Sequence, residues 1–243
     1  MHNCHSQVNT KVEMKKIRVS AEAAYVLAII LISLAGAMIA ATDLGLSMLG
    51  APAYILSQKL TFLTYGQCEY IVQGLLFLVF CIAMKEFKLM YAMSFVAGVV
   101  YGSVLDLWRL VIPDFNPEIT APGSLPMPLT IVYFVVGMLL SGLSVSLFFH
   151  SYLYPQVYEL FVKGLSKKYG IDSAKFKLCF DLTFLLFAVI LSLSLFGDLV
   201  GIGVGTIVQA CMNGVLIGFF NRLLDRYFVL VPNFKSAIGK FTL

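Results

Sequence analysis

The chain has 243 residues, 60% of them hydrophobic and only 12% charged, with a formal net charge of +4. A soluble domain cannot cover its surface with so few charges, so the composition describes a single domain embedded in a lipid bilayer. Five cysteines, an odd number, lie scattered in the tail and in or beside apolar runs; they read as small packing residues and imply no disulfide framework.

Residues 1–19 form a polar N-terminal tail in which Met14 opens "MKKIRVSAEAAY", a more natural start for a membrane protein than "MHNCHSQVNTKVE" before it. His2, Cys4 and His5 are three candidate metal ligands on a floppy segment, which is too little to predict a metal site. The first apolar run is long and lacks a cleavage site, so it reads as a span rather than a signal peptide. Six runs, approximately 22–41, 69–84, 88–112, 127–149, 176–196 and 200–221, can cross a hydrocarbon layer as helices. The second is short and needs a turn from its flanks. All are continuously apolar without alternation, which argues against strands.

Between the spans lie two ambiguous stretches. Residues 44–62 carry Gly45, Gly50 and Pro52, and residues 152–168 carry Pro155 with a polar stripe of Glu159, Lys163 and Lys167. Counting the first as a crossing would move Lys85 and Lys88 to the outside. Both stretches are therefore expected to be interfacial or partly re-entrant helices, with rest on the interface the simpler reading.

The positive charges then fix the orientation. Lys11, Lys15, Lys16 and Arg18 precede the first span, and Lys85 and Lys88 follow the second. Lys163, Lys167, Lys168, Lys175 and Lys177 lie between the fourth and fifth, and Arg222, Arg226, Lys235 and Lys240 follow the sixth. Both termini, including the tail 233–243, are expected in the cytoplasm, with only Lys59 and Arg109 left for the outside. The loop 114–126 is Pro-rich, has no Lys or Arg, and is expected to be external and extended.

The chain also repeats itself. "GVVYGSVLDLWRLVIP" at 98–113 returns as "GVLIGFFNRLLDRYFVLVP" at 214–232. Residues 20–113 and 127–232 each begin with a span rich in small residues, and each continues through a Pro-containing stretch to Tyr65-Gly66 or Tyr169-Gly170. A second span follows, entered by a polar pair four apart: Glu69 and Gln73, or Lys177 and Asp181. The third ends each half. Three crossings per half force the halves into opposite orientations. The predicted fold is an all-α membrane protein of six transmembrane helices, arranged as two inverted-topology three-helix repeats, each with an extra amphipathic or re-entrant helix. Gly98 and Gly102, and Gly214 and Gly218, are expected to be flat helix-packing faces that set spans three and six against each other or against spans one and four.

The stretches "DLGLSMLGAPAYILSQKL", "VVYGSVLDLWRLVIP" and "GIGVGTIVQACMNGVLIGFFNRLLDRYF" resemble the YczE/YitT group of bacterial membrane proteins. Gly201, Gly203, Gly205, Thr206, Asn213, Gly214 and Gly218 match that group's Gly-rich helix, while the Trp-Asp of its first motif is absent here. The resemblance covers most of residues 20–232. It implies a multi-pass protein of the bacterial inner membrane, from a family described as uncharacterised or transporter-like.

Polar residues inside the spans are the candidate site. An Asp near a helix centre costs on the order of 2.5–3.5 kcal/mol to insert, so Asp181 must face protein or water. It is either a structural partner of Lys177 one turn earlier or a substrate- or proton-coupling carboxylate. Gln73 is its counterpart in the first half. Thr206, Gln209 and Asn213 form one stripe, fit either for interhelical hydrogen bonds or for lining a solute path. Asp106 with Arg109, and Asp225 with Arg222, are expected to pair or snorkel at the membrane edges, with Glu69 at the outer end of its span and His150 an anchor. No nucleophile–base constellation, phosphate loop, metal spacing or nucleic-acid signature is present. The leading expectation is a secondary transporter or channel-like protein for a small solute, without cofactor or metal. The alternative is a non-transporting membrane subunit that binds a solute or a partner protein; a homo-oligomer is possible, and an intramembrane enzyme ranks third.

Overall fold

The computed structural model describes residues 17–153 and 156–232; the His2, Cys4 and His5 cluster, Met14, Pro155 and the tail 233–243 lie outside them. Eight helices and two short strands follow in order: β1 (Ile17–Ser20), α1 (Ala21–Thr42), α2 (Ala51–Lys59), α3 (Tyr65–Met84), α4 (Leu89–Val111), α5 (Met127–His150), α6 (Val157–Tyr169), α7 (Ser173–Phe196), α8 (Val204–Tyr227) and β2 (Phe228–Val231). Six of these helices, all but α2 and α6, are long and apolar enough to cross a membrane. The chain is a multi-pass membrane protein.

Local chemistry sets the ends. The turn that the second span needed comes from its start, where Thr64 and Gln67 form a capping box at 3.1 Å in both directions. Asp172 caps α7 through the Lys175 N–H at 2.9 Å. α6 and α7 stop at Gly170 and Gly197, both in the left-handed region that glycine adopts freely. The sixth span starts later than expected, at Val204, because Gly201 with φ +70 and Gly203 hold an irregular lead-in.

β1 and β2 pair in parallel, with Ile17 opposite Phe228 and Ser20 opposite Val231. Sequence pattern did not reveal these strands. Their pairing puts the start of α1 and the end of α8 together.

α1 and α5 pack along each other at the centre, α4 lies on α1, and α8 lies on α5. Of the two expected arrangements, spans three and six face spans one and four. The contacts repeat position for position. A Cβ on Gly36 would meet Leu105 at 3.0 Å and Tyr101 at 3.1 Å, and one on Gly142 would meet Leu216 at 2.9 Å and Phe220 at 3.5 Å. Each member of these pairs stands at the same place counted from the start of its helix.

The short helices repeat too. α2 packs on α3 and α7, and α6 packs on α7 and α3. Lys59 at the end of α2 donates to the Leu195 carbonyl of α7 at 2.9 Å, and Lys168 near the end of α6 donates to Ala83 and Met84 of α3 at 2.9 and 2.7 Å. Each lysine satisfies C-terminal carbonyls that a helix leaves without partners. Neither short helix lies flat across the bundle ends. Ala51 to Ile55 of α2 are buried, as are Val157, Tyr158, Leu160 and Leu165 of α6. α6 runs alongside α3, from Glu69 in its second turn to its last carbonyls.

Two expectations need correction. The loop 114–126 is not extended: it opens with a 3-10 turn at Pro113–Phe115, buries Phe115 and returns Gly123 to the Ala41 carbonyl at 3.3 Å. The tie from Tyr133 to Asp114 at 2.6 Å holds that turn against α5. The second correction concerns the glycines. Gly98 and Gly102 lie against α3, where Cβ atoms would overlap Gln73, Tyr70 and the Gly66 carbonyl. Gly214 and Gly218 pack against nothing; a Cβ at either meets no atom within 4 Å. The reason is a break in the repeated pattern. α3 packs closely on α4, whereas α7 and α8 share no comparable interface.

Candidate functional site

Where α7 stands away from α8, a cavity of about 580 Å³ opens in the bundle, walled by both halves of the chain. Its apolar side comes from Ile32, Gly36 and Ile39 of α1 and Val145 of α5. One end is closed by the 46–50 loop and by Tyr65 and Glu69 of α3, with Tyr101 of α4 beside them. Gln156 just before α6 joins Tyr158, Glu159 and Lys163 of that helix; α7 contributes Lys177 and Asp181; α8 contributes Gln209, Asn213 and Gly214.

Asp181, Gln209 and Asn213 therefore line one cavity, and Gln73 and Thr206 do not. Asp181 accepts from Lys177 at 3.3 Å, the same-face pair that their spacing allows, and both side chains front the cavity. Asn213 is half-buried and its Oδ1 is enclosed without a hydrogen-bond partner. Gln209 is committed to structure: its amide donates to the Gly45 carbonyl at 3.0 Å.

Thr206 is 1% exposed and accepts from the Gly203 N–H at 3.3 Å, seated against Gly45. Two backbone bonds complete this crossing, Leu46 N–H to Gly201 at 2.9 Å and Gly205 N–H to Leu44 at 2.7 Å. Gly45, with φ +114, is required there, because a Cβ would lie 2.6 Å from the Gly203 nitrogen. Gln73 sits behind the wall, fully buried, with its amide donating to Glu69 at 3.2 Å.

Sequence reasoning placed Glu69 at the outer end of its span and missed its role. It is 1% exposed, and its carboxylate receives the Tyr158 hydroxyl at 3.0 Å as well as Gln73. Gln156 was also missed; it is buried on the cavity wall with its Nε2 unpartnered. Glu159 and Lys163 were read as a polar stripe on a surface helix, yet they turn into the cavity because α6 is inserted between spans. Burial pushes the Glu159 carboxyl above the usual range, opposed by Lys177 and Lys163. Glu69 did carry a signal, its spacing of four to Gln73, which matches Lys177 and Asp181.

Nor do the expected edge pairs form. Asp106 caps α3, accepting from Thr64 and from the Gly66 N–H at 2.8 Å, while the Arg109 guanidinium lies 5.6 Å from the Tyr65 ring centre. Asp225 pairs with His150 at 3.0 Å, tying α5 to α8, and Arg222 donates to the Gly218 carbonyl at 3.1 Å. Among the described residues, no group of three or more His, Cys, Asp or Glu is arranged to hold a metal ion.

No curated protein and no solved structure matches this chain. A family model does, over residues 19–222, spanning all six membrane helices up to the last turns of α8. On that match the chain belongs to DUF6198, a family of unknown function.

Proposed function

We propose that this protein is a secondary transporter or channel-like carrier of a small solute in the bacterial inner membrane, and that the cavity is its solute site. The supporting observation is the cavity itself. Ionised and amide side chains are costly inside a bilayer and persist where they meet water, solute or one another. Here Glu69 from one half and Asp181 and Asn213 from the other converge on a single space large enough for a small molecule.

The transport reading treats the two halves as inverted-topology repeats. The matched contacts of Gly36 with Gly142 and of Lys59 with Lys168 favour that relation. Alternating access follows from a difference between the halves: α3 is closed on α4 while α7 stands open from α8. In the opposite state α7 closes over Gly214 and Gly218, and α3 lifts from α4. Uptake of a panel of neutral, cationic and anionic solutes into proteoliposomes tests the proposal; uptake of none overturns it.

A second reading, a non-transporting subunit that binds a solute or a partner protein, draws on the poor burial of α7 and α8. Only Phe180, Ala188 and Ser192 of α7 and Gly205, Thr206, Gln209 and Leu224 of α8 are buried. Such faces would suit a partner or a second copy. Under either reading no nucleic acid and no cofactor takes part.

Both termini are assigned to the cytoplasm. Cysteine at Ser124 is therefore expected to react with an impermeant thiol reagent from outside intact cells, and cysteine at Glu86 only after lysis. The reverse pattern would invert the assignment.

A further inference from the structure

We infer that the cavity is built for a protonated amine, with Glu69 as the counter-charge; this deepens the proposed transport function and rests on it. The cavity wall carries three carboxyl groups, Glu69, Glu159 and Asp181, against two ammonium groups, Lys163 and Lys177. The lysines are already engaged. Lys177 bonds Asp181 at 3.3 Å, Lys163 lies 5.2 Å from the centre of the Phe149 ring, and both act electrostatically on Glu159. Glu69 is the carboxyl left over. Its donors, Tyr158 at 3.0 Å and Gln73 at 3.2 Å, are neutral, and among the described residues no lysine, arginine or histidine forms an ion pair with it.

A carboxylate buried without a cation is costly, and a ligand that brings the missing positive charge removes that cost. The neighbours suit such a ligand. Tyr101 and Tyr158, from two different helices, share the cavity wall with Glu69, and their rings attract a cation, while Tyr65 beside them already carries the Arg109 guanidinium. Two more groups on the wall await partners: the Asn213 Oδ1 accepts and the Gln156 Nε2 donates, and neither is satisfied among the described residues. An ammonium N–H answers the first, and a hydroxyl or carbonyl oxygen on the same ligand answers the second. The class is therefore a small amine that also carries a polar oxygen. Its apolar body would lie along Ile32, Ile39 and Val145.

The experiment compares three probes of one shape, with binding measured on the purified full-length protein in nanodiscs. They are tyramine, its neutral analogue 4-(2-hydroxyethyl)phenol, and the acid 3-(4-hydroxyphenyl)propionate. Tyramine is expected to bind at least about tenfold more tightly than either of the others, the scale of one charge-assisted contact in a desolvated site. Glu69→Gln, which keeps the side chain's shape and one acceptor oxygen for Tyr158 and Gln73, should erase that preference by bringing tyramine's affinity down to that of the neutral probe. Equal or better binding of the neutral or acidic probe to the unmodified protein overturns the inference with no variant needed. Absence of tyramine binding does the same, as does a preference that survives Glu69→Gln. Uptake of neutral or anionic solutes in the proteoliposome panel would then leave the transport reading standing, whereas an empty panel would remove both.

Discussion

Asn213→Leu is expected to weaken solute binding and uptake strongly while leaving the protein folded. The substitution removes an amide whose Oδ1 is enclosed and unpartnered, so it breaks no hydrogen bond to that atom within the protein. Leucine branches at the same carbon and, although larger, stands where the side chain is only half-buried on the cavity wall, so the extra volume has room. Replacing an unsatisfied buried polar atom by an apolar group is neutral or mildly stabilising. Binding responds differently. A solute that uses Asn213 loses a hydrogen bond in a desolvated site and gains nothing, a loss of about 1.5–3 kcal/mol, or roughly tenfold to more than a hundredfold in affinity. Thermal unfolding in detergent and solute binding, measured on the same preparation, separate the two effects. Unchanged binding by the variant would place the solute path elsewhere.

The second large effect is an asymmetry between matched glycine pairs. Gly102→Val should destabilise the protein strongly, and Gly218→Val should not. A Cβ at Gly102 would come 2.5 Å from the Tyr70 ring and 2.7 Å from the Gly66 carbonyl. A Cβ at Gly66 would in turn run into the Gly102 carbonyl and Asp106. Two backbones cross there, and backbone cannot step aside as a flexible side chain can. Overpacking at such a point costs about 1–3 kcal/mol or more, and Asp106 would lose its hold on the start of α3. At Gly218 a Cβ meets nothing within 4 Å, so the fold should change by no more than roughly 0.5 kcal/mol. If closure of α7 on α8 belongs to the cycle, Gly218→Val should nonetheless slow uptake. Equal loss of stability in the two variants would mean that α7 and α8 pack as closely as α3 and α4.

Much of this architecture was legible in the residues, for identifiable reasons. A run of apolar side chains long enough to cross a bilayer leaves the backbone little choice but helix. All six spans could be read, although α3 took its first turn from the capping box at Thr64 and α8 gave up its first residues to Gly201 and Gly203. Small residues marked the central contacts, Gly36 and Gly142 among them. Pattern told which side chains share a helical face but not what that face meets. The stripe of Thr206, Gln209 and Asn213 is real, yet its first member is spent on the Gly203 N–H and its second on the Gly45 carbonyl. Only Asn213 reaches the cavity uncommitted. The charges of α6 look like those of a surface helix until its insertion beside α3 brings Glu159 and Lys163 to the cavity. Glu69, close to the end of a span, reads as an edge residue because its burial depends on Tyr158, which lies 89 positions away in sequence.

The central claim is that solute passes through this cavity, and site-directed blockade of uptake tests it most directly. Ala210 lines the cavity and is exposed, so a cysteine there can react without disturbing the packing. In a background with the native cysteines replaced, Ala210→Cys protein in proteoliposomes should take up solute before treatment with a bulky thiol reagent and lose uptake once modification is complete. The cysteine-free parent should be unaffected by the reagent. Full modification of Ala210→Cys with uptake undiminished would contradict the account.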